Sequence, residues 1–256
     1  MILSLAENAN THTPLGPRDE RIENDRYVIW LGADDHPSST VVQRLRLTPD
    51  TIDETVEEIH ALLRERGRRA CTWEIGSSAH PPDLVERLLT RGLCDDSDPH
   101  VIAMVLARPP RASPSNVEAR QLRSFEEFAA SRDIAREAFG MPPRTTEETD
   151  QLRADYDVWL TRDDRAGFVA LLDGRIVASA NSTYTDRGVV LNAGATHPDA
   201  RGRGAYTALV VARWDDAVRR GTPALITQAG AMSRPILERL GFEAVAQIRI
   251  LLDEFE

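Results

Sequence analysis

Apolar positions change their spacing repeatedly along this chain, and the changes mark out its elements. Residues 27–32 and 41–47 look like strands, joined by the polar turn 34–39. Ile52, Val56, Ile59, Leu62 and Leu63 then recur at helical spacing. Thr48-Pro49-Asp50 opens that helix, with Asp50 or Thr51 as N-cap, and Gly67 ends it. A strand at 70–75, a loop at 77–82, a short helix at 83–91 stopped by Gly92 and a strand at 101–107 follow. Residues 1–26 are polar and interrupted by Pro14, Gly16 and Pro17, so a loose segment is expected there. Residues 108–115, RPPRASPS, form a proline-rich bridge and the best domain boundary.

Beyond the bridge, a strand at 117–122 leads into a helix capped by Ser124, with Glu127 at the capping-box position. Phe125, Phe128, Ile134 and Ala138 form its apolar side, and it runs to about Phe139. Gly140-Met141-Pro142-Pro143 breaks the pattern, and Thr146 is expected to cap a second helix over 147–162. Asp173-Gly174 between apolar runs at 168–172 and 175–180 predicts a hairpin with a type I′ turn. After a turn at 184–187 come a strand from Val189, a long helix at 206–220 and a strand at 222–228. A short helix at 234–240, stopped by Gly241 as its C′ glycine, precedes a last strand at 244–252.

This order predicts an α+β protein, a mixed sheet flanked by helices. It also repeats. Strand, small-residue loop (Gly76-Ser77-Ser78-Ala79), helix, Gly92-Leu93 and strand occur again over 222–252. Two tandem units are therefore expected, residues 1–112 and 113–256.

Composition narrows the function. A chain of 256 residues, 41% hydrophobic and 28% charged, suits a soluble globular protein. A net charge of −10 argues against a phosphate-tracking nucleic-acid surface and against an anionic membrane. No apolar run approaches a membrane span, and residues 1–6 are too short for a signal-peptide core, so a cytoplasmic location is expected. Cys71 and Cys94 suggest neither a disulfide framework nor a zinc site, and both are expected to be buried small residues. His12, His36, His60, His80, His100 and His197 lack metal-ligand spacing, so no metal is expected. The chain contains no lysine, which removes P-loop nucleotide hydrolysis, pyridoxal Schiff bases and lysine nucleophiles together.

The segment 188–204, GVVLNAGATHPDARGRG, carries the chemistry. A buried strand at Val189-Val190-Leu191 passes through Asn192, Ala193, Gly194 and Ala195 to Thr196-His197-Pro198. Two glycines between arginines, Arg201-Gly202-Arg203-Gly204, then precede the long helix. A strand, a glycine turn and a helix N-terminus leave backbone N–H groups aimed one way, a geometry that holds a pyrophosphate. The same turn also fits a solvated helix cap. The Rossmann pattern is absent, because Thr207 stands where its third glycine would be.

The order Arg-x-x-Gly-x-Gly/Ala, followed by strand, small-residue loop, short helix, Leu240-Gly241-Phe242 and strand, resembles the GCN5-related N-acetyltransferase (GNAT) superfamily over 116–256. The first half resembles a degenerate acetyltransferase-like unit without a glycine-rich phosphate turn. The resemblance implies acetyl-CoA as cosubstrate and a small-molecule primary amine as acceptor, by direct attack on the thioester. The pantetheine arm would lie between two splayed strands and pair with the backbone at Gly194, Ala195 and Thr196. Arg201, Gly202, Arg203, Gly204, Ala205 and Tyr206 would hold the pyrophosphate. Ser233 would contact the pantetheine or thiol, or serve as N-cap of the helix it precedes.

The sequence departs from the family at proton transfer. Leu237 stands where many relatives place a general-acid tyrosine, Val190 near the position of a general-base glutamate, and Tyr206 replaces the turn's final Gly/Ala. Tyr184, Tyr206 and His197, with Asp199 near it, are substitute candidates. Asp155, Tyr156 and Trp159 face either the acceptor or the interior of an amphipathic helix. The departures leave open a CoA-binding sensor or scaffold, or transfer of a longer acyl group. The last strand pairs either across a homodimer or within a monomer.

Overall fold

Backbone contacts divide the chain into two compact units in the computed structural model, which describes residues 2–33, 35–96, 100–112, 116–138 and 140–256. Expectations that touch Asp34, Ser113–Ser115 and Phe139 lie outside the described residues.

The first unit comprises the chain up to Met104 together with Gln228–Arg234 and Ala244–Glu256. Its elements are α1 (Ile2–Glu7), α2 (Ala9–His12), β1 (Glu20–Glu23), β2 (Val28–Leu31), β3 (Thr40–Gln43), α3 (Ile52–Arg64), β4 (Ala70–Gly76), α4 (Leu84–Arg91) and β5 (Cys94–Asp95). β6 (Val101–Leu106) begins in this unit and ends in the other. β1, β2 and β3 pair antiparallel, β3 joins β4 in parallel, and β4 pairs antiparallel with the last strand, β12 (Glu243–Glu254). α3 buries Ile52, Val56, Ile59 and Leu63 against Tyr27, Ile29, Trp73 and Leu251. β4 alternates, with Cys71, Trp73 and Ile75 inward, as a strand covered on one face requires. Gly92 ends α4 at φ +113°, with its N–H on the Leu89 carbonyl, as its C-cap position predicts.

Three expectations need correction in this unit, and one open alternative is decided. The segment expected to be loose instead forms α1, α2 and β1 among its described residues, with Leu5 and Ala6 fully buried. The strand expected over 41–47 stops at Gln43, since Arg44 takes φ +55° and turns the chain out of the ladder. Cys94 is exposed, lying on the two-residue β5 that flanks β12. Of the two pairings open to the final strand, it takes the one within the chain, from Ile248 opposite Gly76 to Glu254 opposite Ala70.

The second unit comprises Val105–Thr227 and Pro235–Glu243. It contains β7 (Glu118–Gln121), α5 (Phe125–Ala138), α6 (Thr146–Leu160), β8 (Arg165–Leu172), β9 (Arg175–Thr185), β10 (Gly188–Thr196), α7 (Ala205–Arg219), most of β11 (Leu225–Ala229) and most of α8 (Arg234–Leu240). The strand order is β11-β10-β9-β8-β7. Asp173 (φ +52°) and Gly174 (φ +78°) form the I′-type turn that fixes the β8–β9 register. The cap of α6 is Thr145 rather than Thr146: its Oγ1 accepts from Glu148 N–H at 3.1 Å and Glu148 returns the bond. Tyr184 belongs to β9 and not to the turn, so the hairpin strands are longer than expected.

The end of the chain is pinned by one buried carboxylate. Asp253 accepts from Trp73 Nε1 at 3.0 Å and faces His60 Nε2 at 2.8 Å, while the His60 ring stacks on Phe255. Asp253→Ala leaves a buried indole N–H without a partner and is expected to cost about 2–4 kcal/mol. Urea unfolding followed by Trp fluorescence will read this as a lower midpoint, and Asp253→Asn, which retains an acceptor, should lose less.

Candidate acyl-CoA site

The site is built on β10, whose partners change along its length. Next to β9 it pairs from Gly188–Thr185 to Asn192–Asn181, slips, and resumes at Ala195–Ser179. The slip places Ala193 and Gly194 opposite a single residue of β9, with Ala193 at φ +47°: a β-bulge. On the other side, pairing with β11 is parallel and confined to Val189–Leu225 and Val190–Ile226. Asn192, Ala193 and Gly194 are consequently exposed, whereas Ala195 is buried again.

The turn after β10 presents donors. The His197 imidazole Nδ1 accepts from Asp199 N–H at 3.3 Å, starting a short 3-10 turn that buries Ala200. Gly202 (φ +75°) and Gly204 (φ +85°) follow, both in the left-handed region where a side chain is strained. Gly204 is the N-cap of α7, and the first helical bond runs from Ala208 N–H to Gly204 O at 2.9 Å. The N–H groups of Ala205, Tyr206 and Thr207 precede that bond, and no acidic side chain occupies the first turn to neutralise them. Arg201 and Arg203 are exposed on either side, Arg203 within 3.9 Å of Asp173. An anion at this turn meets backbone N–H groups, the helix dipole and two guanidinium groups.

Of the residues expected at the site, Gly194 to Thr196 and Arg201 to Tyr206 thus lie on one strand–turn–helix segment. Ser233 belongs to the first unit, and its hydroxyl donates to Gly230 O at 3.4 Å rather than capping α8. Tyr184 is committed elsewhere. Its hydroxyl donates to the buried Asp216, Arg220 lies 4.0 Å over its ring, and burial followed by Asp216 pushes its pKa well up. His197 is partly exposed, its Nε2 3.4 Å from Glu137. Leu237 and Val190 are both buried. Tyr156 packs among Phe125, Phe128 and Trp159, so the amphipathic-helix reading holds for this aromatic cluster.

Two charged residues on α7 escaped the sequence reading. Asp216 accepts from Gln121 Nε2 at 2.8 Å, Arg219 at 2.7 Å and Arg220 Nε at 3.0 Å in addition to Tyr184. Arg213 is fully buried, reaching Leu209 O at 3.1 Å and Asn181 O at 3.4 Å, beside the Tyr206 phenol. Burial pushes its pKa down. The available signal was its place in the apolar row Ala205, Leu209, Arg213, Ala217. Tyr206 in turn packs on the bulge, since a Cβ at Gly194 would lie 2.9 Å from its ring.

Comparison with known proteins shows what such a segment is similar to. Residues 128–242 match the acetyltransferase (GNAT) family. This stretch is similar to a GNAT-family acetyltransferase domain. Among solved structures, a GCN5-related N-acetyltransferase from Kribbella flavida superposes with a TM-score of 0.71 at 20% identity, covering 92% of this chain and 89% of that one. A tandem GNAT protein from the clavulanic acid biosynthesis pathway gives 0.63 at 16% identity, covering 99% and 93%. A GCN5-related N-acetyltransferase from Sphaerobacter thermophilus gives 0.62 at 17%, covering 90% and 81%. No curated protein sequence matches the chain. The mixed α/β architecture with two tandem strand–helix units is therefore the GNAT fold. Among the described residues no helix is long and apolar enough to cross a membrane.

The contact between bulge and helix is measurable. Gly194→Ala drives a methyl group into the Tyr206 ring and is expected to lower stability by about 1–3 kcal/mol. Combined with Tyr206→Ala, the Gly194 substitution should lose most of that penalty, a coupling that a double-mutant cycle in urea reads directly. Tyr184→Phe removes a bond to Asp216 and should destabilise by about 1 kcal/mol.

Proposed function

We propose that the second unit is an acetyl-CoA-dependent N-acetyltransferase that transfers an acetyl group to a primary amine of a small molecule by direct attack on the thioester. The observation that carries this reading is the bulged β10, freed from β11 after two rungs, leading into a glycine turn with unneutralised helix N–H groups. In this reading the exposed backbone of Gly194 to Thr196 pairs with the pantetheine amides, and the N–H groups from Arg201 to Tyr206 hold the pyrophosphate. Acetyl-CoA supplies the activated thioester. The chain supplies positioning, which turns a bimolecular encounter into an effectively unimolecular step.

Proton transfer falls on few groups. Tyr184 stays protonated and bound to Asp216, so it is not the base. His197 has one nitrogen engaged by Asp199 N–H and the other turned toward Glu137, at the end of the bulged strand. It is the side chain placed to relay a proton from the incoming ammonium to solvent. The transferase lies within 113–256, less the stretches 228–234 and 244–256 that belong to the first unit, and 1–112 supply most of that first, degenerate acetyltransferase-like unit. We place the protein in the cytoplasm as a monomer or homodimer.

A second reading is supported by the buried Leu237 and Val190: a CoA-binding sensor or scaffold with little turnover. Calorimetric titration with acetyl-CoA comes first. Gly204→Trp blocks the turn and strains a φ of +85°, and it is expected to abolish binding while circular dichroism stays native. Binding without turnover over a broad amine panel favours the sensor. No binding by the unmodified protein rejects both readings. If transfer occurs, His197→Ala should slow it by about 10²-fold, with the largest loss below the acceptor's ammonium pKa.

A further inference from the structure

The first unit repeats the parallel, quickly diverging strand pair of the second. β3 and β4 pair at Val41–Thr72 and Val42–Trp73 only, as β10 and β11 do at Val189–Leu225 and Val190–Ile226. In both, a residue other than glycine then takes positive φ: Arg44 at +55°, Ala193 at +47°. In both, a helix joins the two strands, α3 or α7, and the second strand leads through small residues to a short helix stopped by a left-handed glycine, Gly92 or Gly241.

The openings differ in what fills them. In the first unit, the Asn8 side chain accepts from Arg44 N–H at 2.9 Å, on the β3 side. The Glu7 carboxylate accepts from Ser78 N–H at 2.6 Å, just past β4. Gln43 accepts from Asn10 N–H at 3.1 Å and donates across the gap to Glu74. Glu7 is 6% and Asn8 4% exposed. Gly76 is required beneath them, because a Cβ there would overlap the Glu7 side chain. Beyond this plug the two segments rejoin, with Leu47 N–H on His80 O at 3.0 Å and His80 N–H on Leu45 O at 3.1 Å.

We infer that the first unit retains a second cleft of the acyl-pantetheine type, and that the chain fills it with its own Glu7 and Asn8. This rests on the proposed function of the second unit. Two backbone N–H groups on opposite walls of a strand gap suit a chain of spaced carbonyl acceptors, which a pantetheine diamide offers. Here a carboxylate and a carboxamide on adjacent residues supply those acceptors instead. The segment 44–51 before α3 contains no glycine, so the matching ligand is acyl-pantetheine rather than the whole nucleotide. The unmodified chain therefore takes up one acetyl-CoA.

Residue-resolved hydrogen exchange on the full chain tests this. In the unmodified protein, Arg44 and Ser78 amides should exchange slowly and remain unchanged by acetyl-CoA or S-acetylpantetheine, while amides at 201–206 slow with acetyl-CoA. In Glu7→Ala/Asn8→Ala, Arg44 and Ser78 should exchange about tenfold faster, and millimolar S-acetylpantetheine should slow them again. Asn8→Ala alone gives the same reading at Arg44 if the double variant does not fold. A ligand effect at Arg44 and Ser78 in the unmodified protein overturns self-occupancy. A folded variant whose exchange S-acetylpantetheine leaves fast overturns the ligand class. Failure of acetyl-CoA to protect 201–206 rejects the proposed function separately; slow exchange at Arg44 and Ser78 then still supports a filled cleft.

Discussion

A parallel strand pair that separates after two rungs creates a debt of backbone hydrogen bonds, and much of this structure is arranged around meeting it. N–H and C=O groups away from water need partners, and a ladder that stops early withdraws them. β10 and β11 part after Val190–Ile226, and β3 and β4 after Val42–Trp73. The first unit closes its opening with side chains of its own, Glu7 and Asn8. The second leaves Asn192, Ala193 and Gly194 at the surface, where solvent or a bound chain completes them. One local geometry thus gives a sealed element in one place and a receptive one in the other.

Keeping the second opening in shape requires a helix that does not shift. α7 is anchored at its far end by Asp216, whose carboxylate accepts from Tyr184, Gln121, Arg219 and Arg220. A buried charge with so many donors is satisfied, and removing any one donor leaves the rest. Arg213 is different. It is buried, held by two carbonyl oxygens and the Tyr206 phenol, a costly arrangement that favours one position of the helix over others. Through Tyr206 on Gly194, that position is transmitted to the bulge. The residue that replaces the small one at the end of the glycine turn therefore has structural work at the strand it faces.

Local chemistry was legible in the sequence wherever a residue type admits one backbone solution. Asp173-Gly174 declared its turn, Gly92 and Gly241 their helix ends, and Gly202 and Gly204 the turn before α7. Less legible was anything decided by partners distant in sequence. Residues 1–26 are polar in composition, yet Leu5 and Ala6 are enclosed by a unit that composition cannot reveal. The segment 41–47 looks like one strand, but Arg44 leaves the ladder, its N–H taken by Asn8, 36 residues away. Cys94 was misjudged because exposure on a two-residue edge strand is a property of the sheet. In the site, the strand, turn and helix were all visible, whereas the bulge at Ala193 and the buried partners of α7 were not, since register slips leave no mark in a single strand's alternation.

What remains for chemistry is unevenly distributed. Leu237 and Val190 pack the interior, so neither stores a proton, and Tyr184 gives its hydroxyl to Asp216. A positioned acid or base contributes about 10²–10⁴-fold, while well-oriented reactants gain effective molarities of about 10⁵–10⁸ M. Positioning thus outweighs proton transfer, and it depends on the bulged strand and glycine turn that this unit keeps intact. An amine that is partly neutral in solution needs little more than to be held against a fixed thioester. A strongly basic amine needs a group to take its proton, and His197 at the open end of β10 is the side chain within reach of both the strand and solvent. The proposed chemistry therefore selects acceptors by basicity as much as by shape, because the site is built to hold and has few groups with which to titrate.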